Sequence, residues 1–528
     1  MFDDLKMFSR YAWGLNGYFR NALTPEQCQQ MILRQLENRK LRFLQIMERA
    51  IYSNPRSPYF KLLRHAGIEY GDVLSLVRQD GVEGTLEQLY DSGVYITIDE
   101  FKRRTPIRRQ GLEFAVDPHD FDNPFLTRHY NSRTSGSRGG GMRVIIDLDL
   151  LMHEAAYYHY FLKAFNLDER PIGIWREVPP VTVGMNVLLR FAKLGKQVER
   201  WFTPSRLTIS LKTLRYVIFT YYSVYSSRLV SRALPKPAYA SLENALHVAS
   251  WLATKKAEGA PAVVDTFASG GVRICLAAME YGLDISGTFF CLGGEPYTKA
   301  KAQMFCDTGS QAVSRYSMAE IGVIGIACAD PTDVDDVHLL TDKIAVIERK
   351  KLLGAGDMSV DALVYTTVLP SCPKLMLNVE SDDYGVLEDR KCSCPIGELG
   401  LTKHLSTIRS YEKLTSGGVT FLGTELLRLV EEVFPARFGG HPTDYQLVEE
   451  EEKGLTKVNI IASPRVGSLS EEAIVNTVFE VLHSYPGGDV MSEVWRQGQT
   501  LGLVRREPYK TISAKILPLH LLKKTDSS

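Results

Sequence analysis

The sequence predicts an α/β protein with a large N-terminal unit followed by a smaller C-terminal one. Two observations predict it. From residue 262 onward, short apolar runs alternate with helical stretches: a strand at 262–267, a helix to Tyr281, a strand at 288–292 and a helix to Asp307. Such alternation indicates α/β architecture. A length of 528 residues exceeds what one hydrophobic core normally organises, so a second, smaller unit is expected. The 62 basic and 62 acidic residues cancel, which removes the electrostatic argument for nucleic acid or an anionic membrane as main partner. A small ligand is the better default. Eight cysteines in so long a chain do not read as a disulfide framework, and residues 1–20 lack the basic segment and apolar core of a signal peptide. The expected location is cytoplasmic. The most lipid-like stretch, 216–225 between Arg215 and Arg228, is too short to span a bilayer and reads as a buried helix.

Taken in order, residues 24–53 have a helical pattern, with Thr24 and Pro25 suited to a cap and first position and apolar residues at Leu41, Leu44, Met47 and Ile51. Pro55 and Pro58 end it. Residues 59–67 read as a short helix, and 93–109 as an extended segment feeding a helix start at Thr97-Ile98-Asp99-Glu100. Residues 142–146 have strand composition, and 148–165 form an aromatic-rich helix candidate. His153 and His159 on that helix, beside Tyr157, Tyr158 and Tyr160, read as a half-buried face and not as a ligand cluster. A further strand is expected at 172–175. Near the C-terminus, 426–433 and 470–484 read as helices and 457–463 as a strand, while the acidic run 449–452 reads as a solvated loop.

Three stretches carry chemistry. Thr134-Ser135-Gly136-Ser137-Arg138-Gly139-Gly140-Gly141 combines hydroxyls, a cation and four glycines, the composition of a loop whose backbone N–H groups can close around phosphate oxygens. It matches neither the Gly-x-x-x-x-Gly-Lys-Ser/Thr pattern nor the dinucleotide fingerprint. A surface linker is its bland alternative. Phe289 to Gly293 is an apolar strand ending in Gly293-Gly294-Glu295-Pro296, where glycines let a flat ligand approach the backbone. The strand at Val313 ends in Tyr316-Ser317-Met318-Ala319-Glu320. Ligands in open α/β sheets sit outside the carboxyl ends of strands, which is where these groups fall. Cys392-Ser393-Cys394, with Cys372 upstream and His404 downstream, is spaced more tightly than zinc pairs usually are and lacks an obvious full set of four ligands. These cysteines read first as free thiols, with a structural zinc as the lesser alternative.

Together with Lys515 near the end, these motifs resemble the adenylate-forming acyl-ligase superfamily in order and spacing across residues 130–516. The likeness is nearest to phenylacetate-CoA ligases, including the capsule-associated ligase and acyl-protein synthetase branch. The resemblance implies a large N-terminal multi-sheet AMP-binding domain over 1–408, with 1–129 as a mainly helical lead-in, and a smaller mobile C-terminal α/β domain over 409–528. It implies activation of a carboxylic acid by ATP through an acyl-adenylate, then transfer to a thiol.

By the same resemblance Thr134, Ser135, Gly136 and Ser137 hold the ATP phosphates and Arg138 lies near the pyrophosphate. Gly294, Glu295 and Pro296 wall the adenine, Tyr316 stacks near it, and Glu320 ligates Mg²⁺. Asp383 takes the ribose hydroxyls, Arg409 contacts ribose or phosphate, and Lys515 bridges the substrate carboxylate and α-phosphate. Phe267, Ala268, Ser269 and Gly270 lie on the turn that in relatives faces the acyl pocket. The sequence departs from the family at Asp382 and Ala514, where glycine is usual, and at Tyr411-Glu412, in place of the hinge acid pair. The implied cofactors are ATP, Mg²⁺ and coenzyme A. The implied partners are a small-molecule carboxylic acid and, as alternative acceptor, an acyl carrier protein, without nucleic acid or stable membrane insertion; a homodimer is compatible with the reading. Two alternatives stay open: transfer to a protein cysteine, and a noncatalytic nucleotide-binding protein of the same fold.

Overall fold

A computed structural model of the chain describes residues 2–117, 119–133, 143–207, 210, 213–230, 233–352, 359–410, 413–416, 419–422, 429–440, 444–452, 455–483, 488–509 and 519–521. Helices α1 (Phe2–Arg20), α2 (Pro25–Glu37), α3 (Arg39–Ile46), α4 (Pro58–His65), α5 (Tyr70–Asp91) and α6 (Ile98–Phe101) come first. Thr24 with Gln27 closes the start of α2, and Thr97 with Glu100 that of α6, each as a capping box that satisfies two otherwise orphaned N–H groups. The single helix expected over 24–53 is interrupted. The Asn38 side chain donates to the Arg34 carbonyl at 2.8 Å and ends α2, and a wide π-type turn, Met47–Tyr52, follows α3. Side chain–backbone bonds of this kind compete with helix continuation.

Two hairpins follow, β1 (Ile107–Arg109) with β2 (Leu112–Phe114) and β3 (Tyr130–Arg133) with β4 (Arg143–Ile146). Helix α7 (Leu148–Ala164) is enclosed on nearly every side, not half-buried as its sequence suggests; a helix with apolar residues all round belongs in a core. His153 there sits 2.8 Å from the Asp342 carboxylate, a partnered core histidine.

The large sheet is then laid down as β5 (Ile172–Trp175), α8 (Val183–Lys193), β6 (Val198–Thr203), α9 (Leu214–Arg228), β7 (Pro237–Tyr239), α10 (Leu246–Ala257), β8 (Val263–Thr266), α11 (Ala268–Glu280), β9 (Phe289–Gly293), α12 (Lys299–Asp307) and β10 (Gln311–Met318). It continues through β11 (Gly322–Ala327), β12 (Val337–Leu339), β13 (Ile344–Leu352), β14 (Ser359–Thr367), β15 (Val379–Asp389) and β16 (Lys403–Ser410). Among the described residues it has twelve strands in the order β13-β14-β15-β16-β12-β11-β10-β9-β8-β5-β6-β7. The β5–β10 side is parallel, and from β10 onward the pairing is antiparallel. Strand β10 is therefore the seam of the sheet. Helix α9 covers the expected 216–225 segment, but it buries one face through Phe219, Ser223 and Val224 and exposes Ile218 and Tyr225. No helix among the described residues is long and apolar enough to cross a membrane.

After the sheet come a hairpin, β17 (Lys413–Ser416) with β18 (Val419–Leu422), and a smaller α/β region. Its strands are β19 (Tyr445–Glu452), β20 (Leu455–Ala462), β21 (Leu501–Arg505) and β22 (Leu519–Leu521), ordered β21-β20-β19-β22, with helices at Glu471–His483 and Gly488–Gln497. The acidic run expected as a loop is instead the outer half of β19. Glu450 faces Lys457 across the ladder, and its carboxylate accepts from Asn459 at 2.8 Å; a cross-strand opposite charge offsets the poor strand preference of glutamate. This region shares one apolar cluster with the large sheet, in which Trp495, Phe434 and Leu447 join Trp175, Phe267 and Val272.

Candidate active site

A cleft of about 330 Å³ opens at the carboxyl ends of β5, β9 and β10 and is closed on its far side by β15 and the end of β16. Its lining includes Gly294, Glu295, Pro296, Tyr316, Glu320, Asp383 and Arg409, so residues spread over more than a hundred positions meet around one space. Thr134, Ser135, Gly136, Ser137, Arg138 and Lys515 lie outside the described residues, as do Tyr411 and Glu412. The strands bounding the glycine loop, β3 and β4, reach the cleft through Ser132, Val144 and Ile146.

The wall at 294–296 forms because Gly294 has φ of +87°, a left-handed conformation that costs glycine no steric penalty. The Glu295 carboxylate is turned away to the first turn of α11, where it accepts from the Ser269 N–H at 2.6 Å and hydroxyl at 2.9 Å. An anion there is favoured by the helix dipole, so this segment meets the cleft with backbone. Phe267, Ala268, Ser269 and Gly270 are buried at that helix start, and none of the four lines the cleft.

Opposite stands a hydroxyl–carboxylate chain. The Tyr316 hydroxyl donates to Asp383 Oδ2 at 2.7 Å and lies 2.8 Å from the Tyr365 hydroxyl. Burial, then the neighbouring Asp383 charge, pushes the Tyr316 phenol well above its usual range, so it remains a donor. Ser381 Oγ holds the Asp383 N–H at 3.1 Å. Asp382, which replaces the expected glycine, is buried and also lines the cleft. Arg409 is aimed by Asp335, whose Oδ2 accepts from Arg409 Nη1 at 2.7 Å while the same carboxylate takes the Thr407 and Ile408 N–H groups. Glu320 is 7% exposed. Among the described residues its carboxylate makes no hydrogen bond or ion pair, which fits a group whose charge is offered to a hard cation.

Sequence reasoning missed the charged floor of the cleft. Arg176, just after β5, donates to Asp265 Oδ1 at 2.6 Å and to the Thr266 carbonyl at 2.6 Å, while Arg315 on β10 donates to Asp265 Oδ2 at 2.5 Å and to the Tyr158 hydroxyl. Burial would raise the Asp265 carboxyl, but the two guanidiniums outweigh it and hold it at about 2. Glu177, also in the lining, is pushed up by burial against the partial opposition of Arg176. Beneath lies a second set. Glu154 accepts from Lys343 at 2.5 Å, from the Val323 N–H at 2.7 Å and from Arg190 Nε at 2.7 Å. Burial raises this carboxyl too, yet Arg190 and then Lys343 bring it to about 2. Gly322 makes the approach possible: its φ is +91°, and a Cβ there would lie 2.1 Å from Glu154 Oε1. The only sequence signals were isolated charges within apolar strands and helices, whose partners lie far apart in the chain.

No protein-family model and no curated protein matches the chain. Solved structures do. 2-Hydroxyisobutyryl-CoA ligase, in complex with 2-HIB-AMP and CoA in the thioesterification state, aligns with a TM-score of 0.52 at 15% identity over 95% of this chain and 91% of that one. The same ligase in the postadenylation state with R3-HIB-AMP gives 0.46 at 14% identity over 96% and 92%. o-Succinylbenzoate CoA synthetase from Bacillus subtilis, a double mutant bound with its product analogue OSB-NCoA, gives 0.40 at 12% over 74% and 68%. The fold is that of an acyl-CoA ligase of known structure. At the level of the single protein, the architecture is similar along nearly its whole length to 2-hydroxyisobutyryl-CoA ligase.

Proposed function

We propose that this chain is an AMP-forming acid–thiol ligase of the phenylacetate-CoA ligase type, which activates a carboxylic acid with ATP and passes the acyl group to a thiol, coenzyme A. The observation that supports this most is the convergence of Gly294, Glu295, Pro296, Tyr316, Glu320, Asp383 and Arg409 on one cleft. In this reading the 294–296 backbone walls the adenine beside Tyr316. Asp383, already polarised by the Tyr316 hydroxyl, takes the ribose diol, as one carboxylate can accept two hydrogen bonds. Arg409, held by Asp335, meets ribose or phosphate. Thr134, Ser135, Gly136, Ser137 and Arg138 cradle the phosphates.

Glu320 would hold Mg²⁺, which when bound neutralises phosphate charge. Lys515 spans the substrate carboxylate and α-phosphate, stabilising charge as the adenylate forms. The functional division falls at 1–408 and 409–528, with the smaller part reorienting between the two half-reactions in the cytoplasm. Carboxylate-dependent exchange of labelled pyrophosphate into ATP, with a panel of aryl and fatty acids, tests the reading. Exchange with one acid class, lost in Glu320→Gln, supports it. ATP binding without exchange for any acid favours a noncatalytic nucleotide-binding protein. AMP release that needs a protein acceptor and not coenzyme A favours an acyl-protein synthetase.

A further inference from the structure

Behind the cleft, on the antiparallel side of the sheet, the fold assembles a second cluster. Cys328 follows β11, His338 lies on β12, and Cys392 and Cys394 come from the loop between β15 and β16. Cys328 Sγ is 3.6 Å from Cys392 Sγ, Cys392 Sγ is 3.4 Å from His338 Nε2, and Cys394 Sγ is 3.1 Å from the same nitrogen. Ligand atoms of Cys328, His338, Cys392 and His404 all fall within 4.8 Å of one another. Cys372, the other cysteine considered from sequence, is not among them; its carbonyl accepts from Asn123 elsewhere.

We propose that Cys328, His338, Cys392 and Cys394 form a structural zinc site. Zinc about 2.3 Å from sulfur and about 2.0 Å from nitrogen sets tetrahedral ligand atoms roughly 3.8 Å apart for S···S and roughly 3.5 Å for S···N. The three separations lie close to those edges and connect all four residues. The surroundings match as well. His338 Nδ1 is 2.8 Å from the Leu401 carbonyl, which can only accept, so the proton sits on Nδ1 and the Nε2 lone pair faces the sulfurs. Backbone N–H groups of Asp330 and Gly397 point at Cys328 Sγ and Cys394 Sγ at 3.3 and 3.4 Å, as donors to thiolates do. Arg390 Nη2, paired with Asp336 Oδ2 at 2.5 Å, also lies 3.9 Å from Cys328 Sγ and places a cation beside the thiolates.

His404 stands against the set, its ring centroid 4.1 Å from that of His338. Its Nδ1 is 2.9 Å from Asp336, and its buried Nε2 has no hydrogen-bond partner among the described residues. Four protein ligands leave no open position, so the ion ties strands together and does no chemistry. It would anchor the segment 328–336, which carries the Asp335 that aims Arg409 into the cleft. The sequence hid this site because two ligands lie more than fifty residues upstream of the Cys-x-Cys pair.

The test is the metal content and thiol reactivity of the full chain, produced with zinc in the medium and purified without chelator. About one zinc per chain is expected, with Cys328, Cys392 and Cys394 resisting alkylation until a mercurial displaces the ion, whereas the exposed Cys306 reacts throughout. Cys328→Ser, Cys394→Ser and His338→Asn should each lower zinc below about 0.2 per chain, and His404→Asn should retain it. Should the serine variants fail to fold, thiol protection in the unmutated chain decides. Less than about 0.2 zinc per chain, with all three cysteines alkylated before any mercurial is added, overturns the proposal. Zinc kept in His338→Asn but lost in His404→Asn overturns the ligand set.

Discussion

Replacing Glu154 by glutamine tests the charged support under the cleft. The change keeps shape and one acceptor oxygen but leaves Arg190 and Lys343 buried without their counter-charge, since the side chains of Glu154 and Lys343 are 0% exposed and that of Arg190 is 7%. The carboxyl is held at about 2 instead of 4.5, a difference worth roughly 3 kcal/mol of preference for the charged form in the folded state. Removing one partner of a buried ion pair costs about 3–5 kcal/mol, in agreement. For a protein of this size such a loss lowers Tm by roughly 5 °C, measurable by tryptophan fluorescence. The sign of the pH dependence follows from the depressed value. The carboxylate's contribution is complete above about 4.5 and is lost as the pH falls towards about 2. The gap between wild type and Glu154→Gln should therefore be constant from neutral pH to about 5 and close below it. A variant that melts within about 1 °C of wild type, or a gap unchanged down to about pH 3, would refute the reasoning.

Three further outcomes are expected. Gly322→Ala, strained at φ +91° and driven against Glu154 at 2.1 Å, should cost on the order of 3 kcal/mol or more, seen as loss of soluble chain or a lower urea midpoint; wild-type stability would show that the strand shifts freely. Asp383→Asn should weaken ATP binding about tenfold in calorimetry while leaving a 2′,3′-dideoxy nucleotide nearly unaffected; equal loss for both would remove Asp383 from the ribose. Lys515→Ala should abolish pyrophosphate exchange yet spare thioester formation from a supplied acyl-adenylate; equal loss in both half-reactions contradicts a role confined to the first step.

Much of the parallel half of the sheet was legible. Residues 172–175 were expected as a strand and form β5, and the expected strands at 262–267 and 288–292 are β8 and β9 to within two residues. Continuous apolar runs between helices identify strands buried on both faces. The antiparallel half was barely visible, because β12 to β16 mix charged and apolar residues without regular alternation and are defined by their partners. The same contrast holds in the cleft. Tyr316, Glu320 and Asp383 stood in recognisable strings, whereas Arg176, Asp265 and Arg315 each look unremarkable in sequence and become a unit only through contacts across three parallel strands. Helix α2 stops at Asn38 for a local reason, a side chain–backbone bond, that apolar periodicity does not register.

The seam at β10 also divides the cleft into a half built from local contacts and a half built from non-local ones. Gly294, Tyr316 and Glu320 lie on or directly after the neighbouring strands β9 and β10, which are linked by one helix, so that wall can form from a contiguous stretch of nascent chain. Asp383 and Arg409 arrive differently: β12 pairs with β16 through Val337 and Leu405, enclosing the whole β13–β15 meander. That closure spans roughly 70 residues, a non-local step whose entropy must be overcome before its contacts form. A ligand that touches both walls can be held only once this loop has shut. Ligand added during refolding should therefore act on the last event of folding, raising the yield of native chain without changing how fast the first wall appears.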